Sequence, residues 1–233
     1  MNAPMPTGTS LVKARPILFS APMVRALLDG RKTQTRRPVK LIVSGRVKAP
    51  GSNKNWHPDD PNAVRACPYG RQGDLLWVRE TFSGPHCMEA SEGRAAAPPS
   101  KWGRSSRIWY WADGNPQDGD WTRPRPSIHM PRWASRLTLR ITDVRIERLQ
   151  DISEKDAIAE GVEGAFVEDG RYWRNYGLSD EEAACSPMLN FPTESFRTLW
   201  ESINGKGSWG ANPWVWALSF DVLRGNIAQW APA

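Results

Sequence analysis

Two stretches of apolar patterning constrain the fold of this chain more than any other feature. In SRLTLRITDVRIERL (135–149), Leu137, Leu139 and Ile141 alternate with polar residues, so one side of a strand is apolar and the other is polar. The pattern continues beyond a small turn or bulge at 142–143. The second stretch, NPWVWALSFDVL (212–223), is nearly continuously apolar. Both segments predict long β-strands.

Shorter signals place helices between the strands. SAPMVRALLDG has Ser20 as a candidate cap and Gly30 at its end, which predicts a helix after a short strand at 17–19. DISEKDAIAEGV predicts a second helix that begins at Ser153 and has Ala157 and Ile158 facing inward. TESFRTLWESING (193–205) predicts a third. Further strands are expected at 75–82 and 107–113. This order, with mostly non-crossover connections, predicts an α+β fold in which a small mixed β-barrel carries helices on its outside.

Polar segments rich in glycine and proline interrupt this pattern and predict insertions at about 44–66, 83–132 and 163–192. We interpret them as surface elaborations of one domain at 16–223. Residues 1–15 are predicted to be a flexible lead-in and residues 224–233 a C-terminal tail.

The composition limits the classes of protein that fit. The 233 residues hold no apolar run near the roughly 18 needed to cross a bilayer, and the start lacks the features of a secretory signal. The three cysteines are scattered, which favours a reducing compartment, and we expect a cytoplasmic protein without a membrane partner. No cofactor or metal is expected, because the candidate metal ligands lack close spacing. Those candidates are His57, Cys67, His86 and Cys87.

The chain is basic and rich in tryptophan. Its 31 lysines and arginines exceed its 25 acidic residues, and it contains 13 tryptophans. Arginine interleaved with aromatic residues is typical of proteins that stack unpaired bases, so RNA is an expected partner. Tryptophans within apolar patterns are instead expected in the core: Trp77, Trp200, Trp214 and Trp216.

The stretch LLDGRKTQTRRPVK (27–40) is either a basic turn or part of an active site. In a regular strand Lys32 and Thr35 have opposite parity and point to opposite faces. We therefore expect Lys32 to lie in the turn after Gly30, ahead of the strand, if the two side chains serve one site. The structural alternative is a lysine that only neutralises a helix C-terminus and a threonine that only favours a strand.

These motifs resemble the ASCH domains of the PUA-like superfamily. The run Gly30, Lys32, Thr35 and Arg37 is similar to the family signature, and GDLLWV, ISEKDAIAEGV and WVWALSFDVL resemble its later motifs in the same order. The resemblance covers 16–43, 68–82, 133–162 and 193–223. The longer form resembles ASCH proteins encoded by phages and prophages.

The resemblance implies a PUA-like barrel and one of two activities. One group in the family removes the acyl group from N4-acetylcytidine with a lysine, a threonine and a glutamate, which fall here on Lys32, Thr35 and Glu160. The other group consists of presumed RNA binders, so a modified nucleoside or RNA is the expected partner. A phage protein that acts against a host nucleic-acid defence is a third hypothesis.

The chemistry expected of these residues is amide hydrolysis. Thr35 would be the nucleophile, Lys32 the base if its pKa is lowered, and Glu160 the proton relay. Four further residues are candidates for substrate binding. Arg37 would orient a phosphate or carbonyl, and Trp77, Arg79 and Glu80 on the WVRET strand would line the same pocket. The structural alternative for Arg79 and Glu80 is a surface salt bridge.

Overall fold

The computed structural model describes residues 12–48, 53–88, 97–102, 107–167, 170–179, 181–182 and 188–230. Its helices are α1 (Ala21–Leu28), α2 (Glu154–Ala159) and α3 (Pro192–Asn204). The strands of its main sheet are β1 (Ala14–Leu18), β2 (Gln34–Pro38), β5 (Leu75–Arg79), β8 (Leu137–Arg148) and β11 (Trp214–Arg224). The short strands are β3 (Val47–Lys48), β4 (Asn55–Trp56), β6 (Phe82–Ser83), β7 (Trp109–Tyr110), β9 (Gly164–Val167) and β10 (Gly170–Trp173).

The main sheet has the strand order β1-β5-β8-β11-β2. β1 and β5 are parallel, whereas the other neighbours are antiparallel. The two long strands β8 and β11 pair along their lengths, with an irregularity at Ser219/Phe220. The predicted α+β class is therefore confirmed. Within the described part of the chain no pairing joins β1 to β2, so the sheet is open and no closed barrel is present.

Two apolar clusters cover the sheet. The larger lies between the sheet and α1, whose Val24 and Leu27 are buried. The second joins α2 and α3 to the sheet through Ala157, Phe196 and Val215. The second cluster places α2 and α3 beside the edge strand β2, where the candidate site lies.

The four tryptophans expected in the core divide into two kinds. Trp200 and Trp216 are buried, as predicted. Trp77 and Trp214 are only partly buried, and each carries an arginine over its ring, Arg79 at 5.1 Å and Arg148 at 4.5 Å from the centroid. The apolar pattern of their strands did not distinguish these two environments.

The predicted insertions are less superficial than expected. The described residues of the insertions predicted at 44–66 and 83–132 contribute short strands and 3-10 helices, and Phe82, Trp102 and Met130 lie in a third buried cluster. The segment 83–132 thus has a small core of its own, because its tryptophan and methionine side chains fold back on Phe82. The part of 163–192 that the structure describes contains the hairpin β9–β10, which packs with α3.

Several element boundaries differ from the expectations. The strand expected at 75–82 ends at Arg79, and the one expected at 107–113 is only β7. Ile158 was expected to face inward but is 36% exposed, whereas Ala157 is fully buried. β1 begins at Ala14, and beyond β11 the side chain of Ile227 is buried. No helix in the described residues is long and apolar enough to span a membrane.

Candidate active site

The turn after α1 places Lys32 outside the strand. Asp29 caps the helix and Gly30 follows with a φ of 72°, a conformation that glycine adopts at little cost. The backbone N–H of Lys32 then donates to the Ala26 carbonyl at 3.0 Å, and β2 begins only at Gln34. Lys32 therefore lies in the turn ahead of the strand, as predicted, and only Thr35 lies in the strand.

The end of α2 docks onto this turn. The N–H of Thr33 donates to the Ala159 carbonyl at 2.8 Å, and an Arg31 guanidinium N–H donates to the Gly161 carbonyl at 3.0 Å. Gly161 has a φ of 87°, and a Cβ there would lie 2.9 Å from the Lys32 Cβ. Glycine at 161 thus allows the close approach that brings Glu160 to Lys32.

The Lys32 amine is fully buried and held by Glu160. Its Nζ donates to the Glu160 carbonyl and to the Glu160 Oε2, both at 2.7 Å. Burial lowers the pKa of Lys32; Glu160 opposes that shift, and the charges of Arg37 and Arg36 add to it. Because two hydrogen bonds use two N–H groups, a neutral amine in this position keeps its lone pair for a proton.

Arg36 extends the network and was not recognised from the sequence as a site residue. Its guanidinium is buried and lies 2.6 Å from Glu147, 3.3 Å from Asp156 and 3.3 Å from Glu160. Arg145 also reaches Asp156, at 3.3 Å. These contacts balance the cations against the carboxylates in the lysine cluster, which we define as Lys32, Arg36, Arg145, Glu147, Asp156 and Glu160. The acidic partners come from β8 and α2, more than 100 residues away, so local spacing carried no signal for them.

The Thr35 hydroxyl is unpaired among the described residues. The side chain is 2% exposed, and the hydroxyl makes no hydrogen bond with a described residue. Thr35 and Glu160 line one cavity of about 50 Å³. Its apolar wall comes from α1 and α3: Met23, Phe196, Leu199, Trp200 and Ile203. The fold therefore places Thr35 and Glu160 at a common cavity, which we call the small cavity, and Lys32 binds Glu160 without lining that cavity.

Two residues of the small cavity carry hydrogen-bond donors without a partner. The Nε of Arg37 and the Nε1 of Trp200 are buried and find no acceptor among the described residues. Another nitrogen of Arg37 donates to the Leu18 carbonyl at 2.6 Å, and its guanidinium lies over the Phe19 ring. Buried donors are rarely left unpaired, so such donors beside a cavity favour a ligand that accepts hydrogen bonds. Trp200 was expected only as a core residue.

Comparison of the chain with protein-family models, curated proteins and solved structures finds no match.

Trp77, Arg79 and Glu80 lie at other places in the fold. Arg79 stacks on Trp77 and donates to the carbonyls of Met130 and Ile128. Glu80 is buried and accepts two hydrogen bonds from Arg136, each 2.9 Å long. None of the three predicted residues lines the small cavity. From the sequence, Arg79 was expected to be either paired or exposed, because it shares a strand face with Trp77. The sequence did not identify the partners of these residues.

The candidate metal ligands are not brought together in the described residues. No three His, Cys, Asp or Glu side chains of this part of the chain are arranged to hold a metal ion. Cys67 is buried and Cys87 is exposed. Cys185 lies outside the described residues.

Proposed function

We propose that the protein is an amidohydrolase that removes the acyl group from an N4-acylated cytosine nucleoside such as N4-acetylcytidine. The observation that carries this proposal is a chain of two contacts. The buried Lys32 amine, lowered in pKa, is held by Glu160, and Glu160 lines one cavity with Thr35, whose hydroxyl is unpaired among the described residues. The ordered ASCH-like motifs support the same function. We also propose that the open sheet and its helices have a PUA-like architecture.

In the first step the Thr35 hydroxyl attacks the acyl carbon. Lys32 takes the hydroxyl proton, which requires its neutral form, and burial of the amine favours that form. A tetrahedral intermediate results, with negative charge on the former carbonyl oxygen. The free donors of Arg37 and Trp200 supply hydrogen bonds for that charge.

Collapse of the intermediate breaks the carbon–nitrogen bond. The protonated Lys32, assisted by Glu160, returns the proton to N4, and the cytosine amine leaves. The acyl group is then an ester of Thr35. Water attacks this ester, Lys32 again accepts a proton, and the free acid and the threonine hydroxyl are restored.

We assign the small cavity to the acyl group because of its size. Its volume of about 50 Å³ is far below the roughly 300–1,000 Å³ of typical small-molecule pockets. A water molecule occupies about 30 Å³ in the liquid, so the cavity has room for only a few heavy atoms. An acetyl group against the Phe196 and Leu199 side chains suits this space. The pyrimidine ring must therefore lie outside it.

A direct assay tests the proposal. Purified protein is incubated with N4-acetylcytidine, and cytidine and acetate are detected by mass spectrometry. We expect turnover that Thr35→Ala abolishes and Thr35→Ser partly retains. Thr138→Ala is the matched control, because Thr138 is equally buried in the same sheet and its hydroxyl donates only to the Gly225 carbonyl. Full activity of Thr35→Ala would remove the nucleophile assignment.

RNA binding without chemistry is a second candidate function, supported by a basic cleft elsewhere on the molecule. This cleft of about 580 Å³ is lined by Lys13, Arg15, Arg65 and Arg71 together with two aspartates. An excess of cations in an open cleft suits a phosphate backbone. We expect a short labelled RNA to bind at low salt and to dissociate as salt rises, measured by fluorescence anisotropy. Absence of binding at low salt contradicts this second function.

A further inference from the structure

A second pocket adjoins the small cavity. It has a volume of about 340 Å³, and its walls include Pro38, Lys40, Lys48, Pro68, Tyr69 and Trp216. This volume lies within the range of pockets that hold a nucleotide-sized ligand. We call it the outer pocket.

The first predicted insertion builds one side of the outer pocket. β3 carries Lys48 and pairs with β4 within that insertion. The segment after the 3-10 helix Pro61–Ala66 supplies Pro68 and Tyr69. Lys40 lies two residues after β2 and lines the pocket with Lys48, so the pocket lies at the end of the strand that carries Thr35 and Arg37.

Three observations connect the outer pocket to the proposed active site. Pro38 lines both spaces. Trp216 on β11 is the strand partner of Arg37, which lines the small cavity. Tyr69 interacts electrostatically with Arg37; burial raises the pKa of Tyr69, and the charge of Arg37 opposes that shift. A ligand in the outer pocket therefore lies near Pro38 and Arg37, two residues that line the small cavity.

The charges of the outer pocket favour an anion. Lys40 and Lys48 are exposed, and neither forms an ion pair with a described residue. Among the described residues, no aspartate or glutamate lines this pocket. The partly buried ring of Tyr69 offers an aromatic face of the kind on which bases stack. The pocket thus combines an aromatic side chain with two lysines, which suits a nucleotide rather than an uncharged nucleoside.

We propose that the outer pocket binds a phosphate-bearing N4-acylcytidine, with phosphate at Lys40 and Lys48 and the acyl group directed into the small cavity. This inference rests on the proposed hydrolase function and names its substrate class: a nucleotide or an RNA rather than a free nucleoside. A nucleotide and an RNA would both place a phosphate near the two lysines. They differ in whether further nucleotides are linked to that phosphate.

The test compares three substrates: N4-acetylcytidine, its 5′-monophosphate and a short RNA with one N4-acetylcytidine. We expect kcat/KM to be about tenfold or more higher for a phosphorylated substrate, mainly through a lower KM, because charge-assisted contacts strengthen binding by at least this factor. The double variant Lys40→Gln, Lys48→Gln should lose this preference. Lys206→Gln, an exposed lysine beyond α3, is the matched control. A higher value for RNA than for the monophosphate assigns the substrate to RNA, and the reverse assigns it to nucleotides.

A binding measurement separates failure of this inference from failure of the proposed function. Cytidine and cytidine 5′-monophosphate are titrated into the wild-type protein and the double lysine variant by calorimetry. Tighter binding of the monophosphate that the double variant loses supports the outer pocket, even if no substrate is turned over and hydrolysis is rejected. Turnover of all substrates with equal kcat/KM, and equal affinity for both titrants, overturns the inference and leaves the hydrolase intact.

Discussion

The molecule buries a glutamate against a basic side chain at two places, and only one of them has the features of a site. Glu160 is 4% exposed beside Lys32, and Glu80 is 1% exposed beside Arg136. Arg136 is occupied by two carboxylates, since it also pairs with Asp113 at 2.7 Å. Around Glu160, in contrast, the Thr35 hydroxyl has no partner among the described residues. Burial of an ion pair therefore does not by itself mark a site, and the proposed function rests instead on the polar groups at the small cavity.

The pKa values of the two basic partners, Lys32 and Arg136, also shift in opposite directions. Burial lowers the pKa of Lys32, and its partner Glu160 does not reverse this. Burial also lowers the pKa of Arg136, but hydrogen bonds to Glu80 and Asp113 outweigh this effect and raise the pKa of Arg136 above its usual value. A lysine with a lowered pKa is suited to accept a proton, whereas an arginine with a raised pKa stays charged. We define Glu80, Asp113 and Arg136 as the arginine cluster.

The largest expected effect comes from removing the Lys32 amine. Lys32→Met keeps the length of the side chain, and we expect the turnover of N4-acetylcytidine to fall by about a thousandfold or more, since a base that activates the nucleophile is lost. Lys32→Arg keeps the positive charge but cannot deprotonate, so it should be equally inactive. Arg136→Met is the matched control in the arginine cluster, with a normal rate per folded molecule. Near-normal turnover by Lys32→Arg would show that only the charge matters and would exclude Lys32 as the base.

The next prediction concerns the stability of the arginine cluster. Glu80→Gln leaves the buried end of Arg136 with a neutral partner, and we expect it to lower the free energy of unfolding by about 3 kcal/mol. Urea denaturation followed by tryptophan fluorescence measures this loss. Activity per folded molecule should not change. A rate loss at full stability would instead place Glu80 in the substrate site, as the sequence alone suggested.

The sequence predicted the local parts of the site better than its long-range contacts. The glycine turn, the position of Lys32 ahead of β2 and the Ser153 cap of α2, which accepts from the Asp156 N–H at 3.1 Å, follow from neighbouring residues. The partners of Arg36 depend on how β8 and α2 pack, and no spacing rule reveals this.

The same distinction holds for the sheet and the tryptophans. Alternation identified β8, but the strand order and the open edges depend on pairings between distant segments. The free donor of Trp200 could not be inferred, because a tryptophan in an apolar helix pattern is usually core. Trp200 is both: it packs in the second apolar cluster and lines the small cavity.

A smaller effect is expected from the unpaired donor of Trp200. Trp200→Phe keeps an aromatic ring but removes the Nε1–H, and loss of one donor to a tetrahedral intermediate commonly lowers kcat by about a hundredfold. We expect KM to change little, because the donor acts mainly on the charge that develops during the reaction. Steady-state kinetics on N4-acetylcytidine measure both constants. Trp209→Phe is the control, since Trp209 packs against the same Phe196 ring without lining the small cavity. A change in KM alone contradicts the role of Trp200.

The smallest expected effect is a shift in the pH dependence of kcat, which should occur for a change in the lysine cluster but not for one in the arginine cluster. Because the active form of Lys32 is neutral, kcat should rise with pH, tenfold per unit below the pKa of Lys32, and then level off. Burial lowers that pKa, so the plateau should begin below the range in which an exposed lysine loses its proton. Glu160 raises the pKa of Lys32, and removing its charge in Glu160→Gln should shift the rising limb toward lower pH even though the maximum rate falls. Glu80→Gln lies outside the lysine cluster and should leave the limb in place. A limb that moves to higher pH in Glu160→Gln would mean that a group other than Lys32 controls the rate.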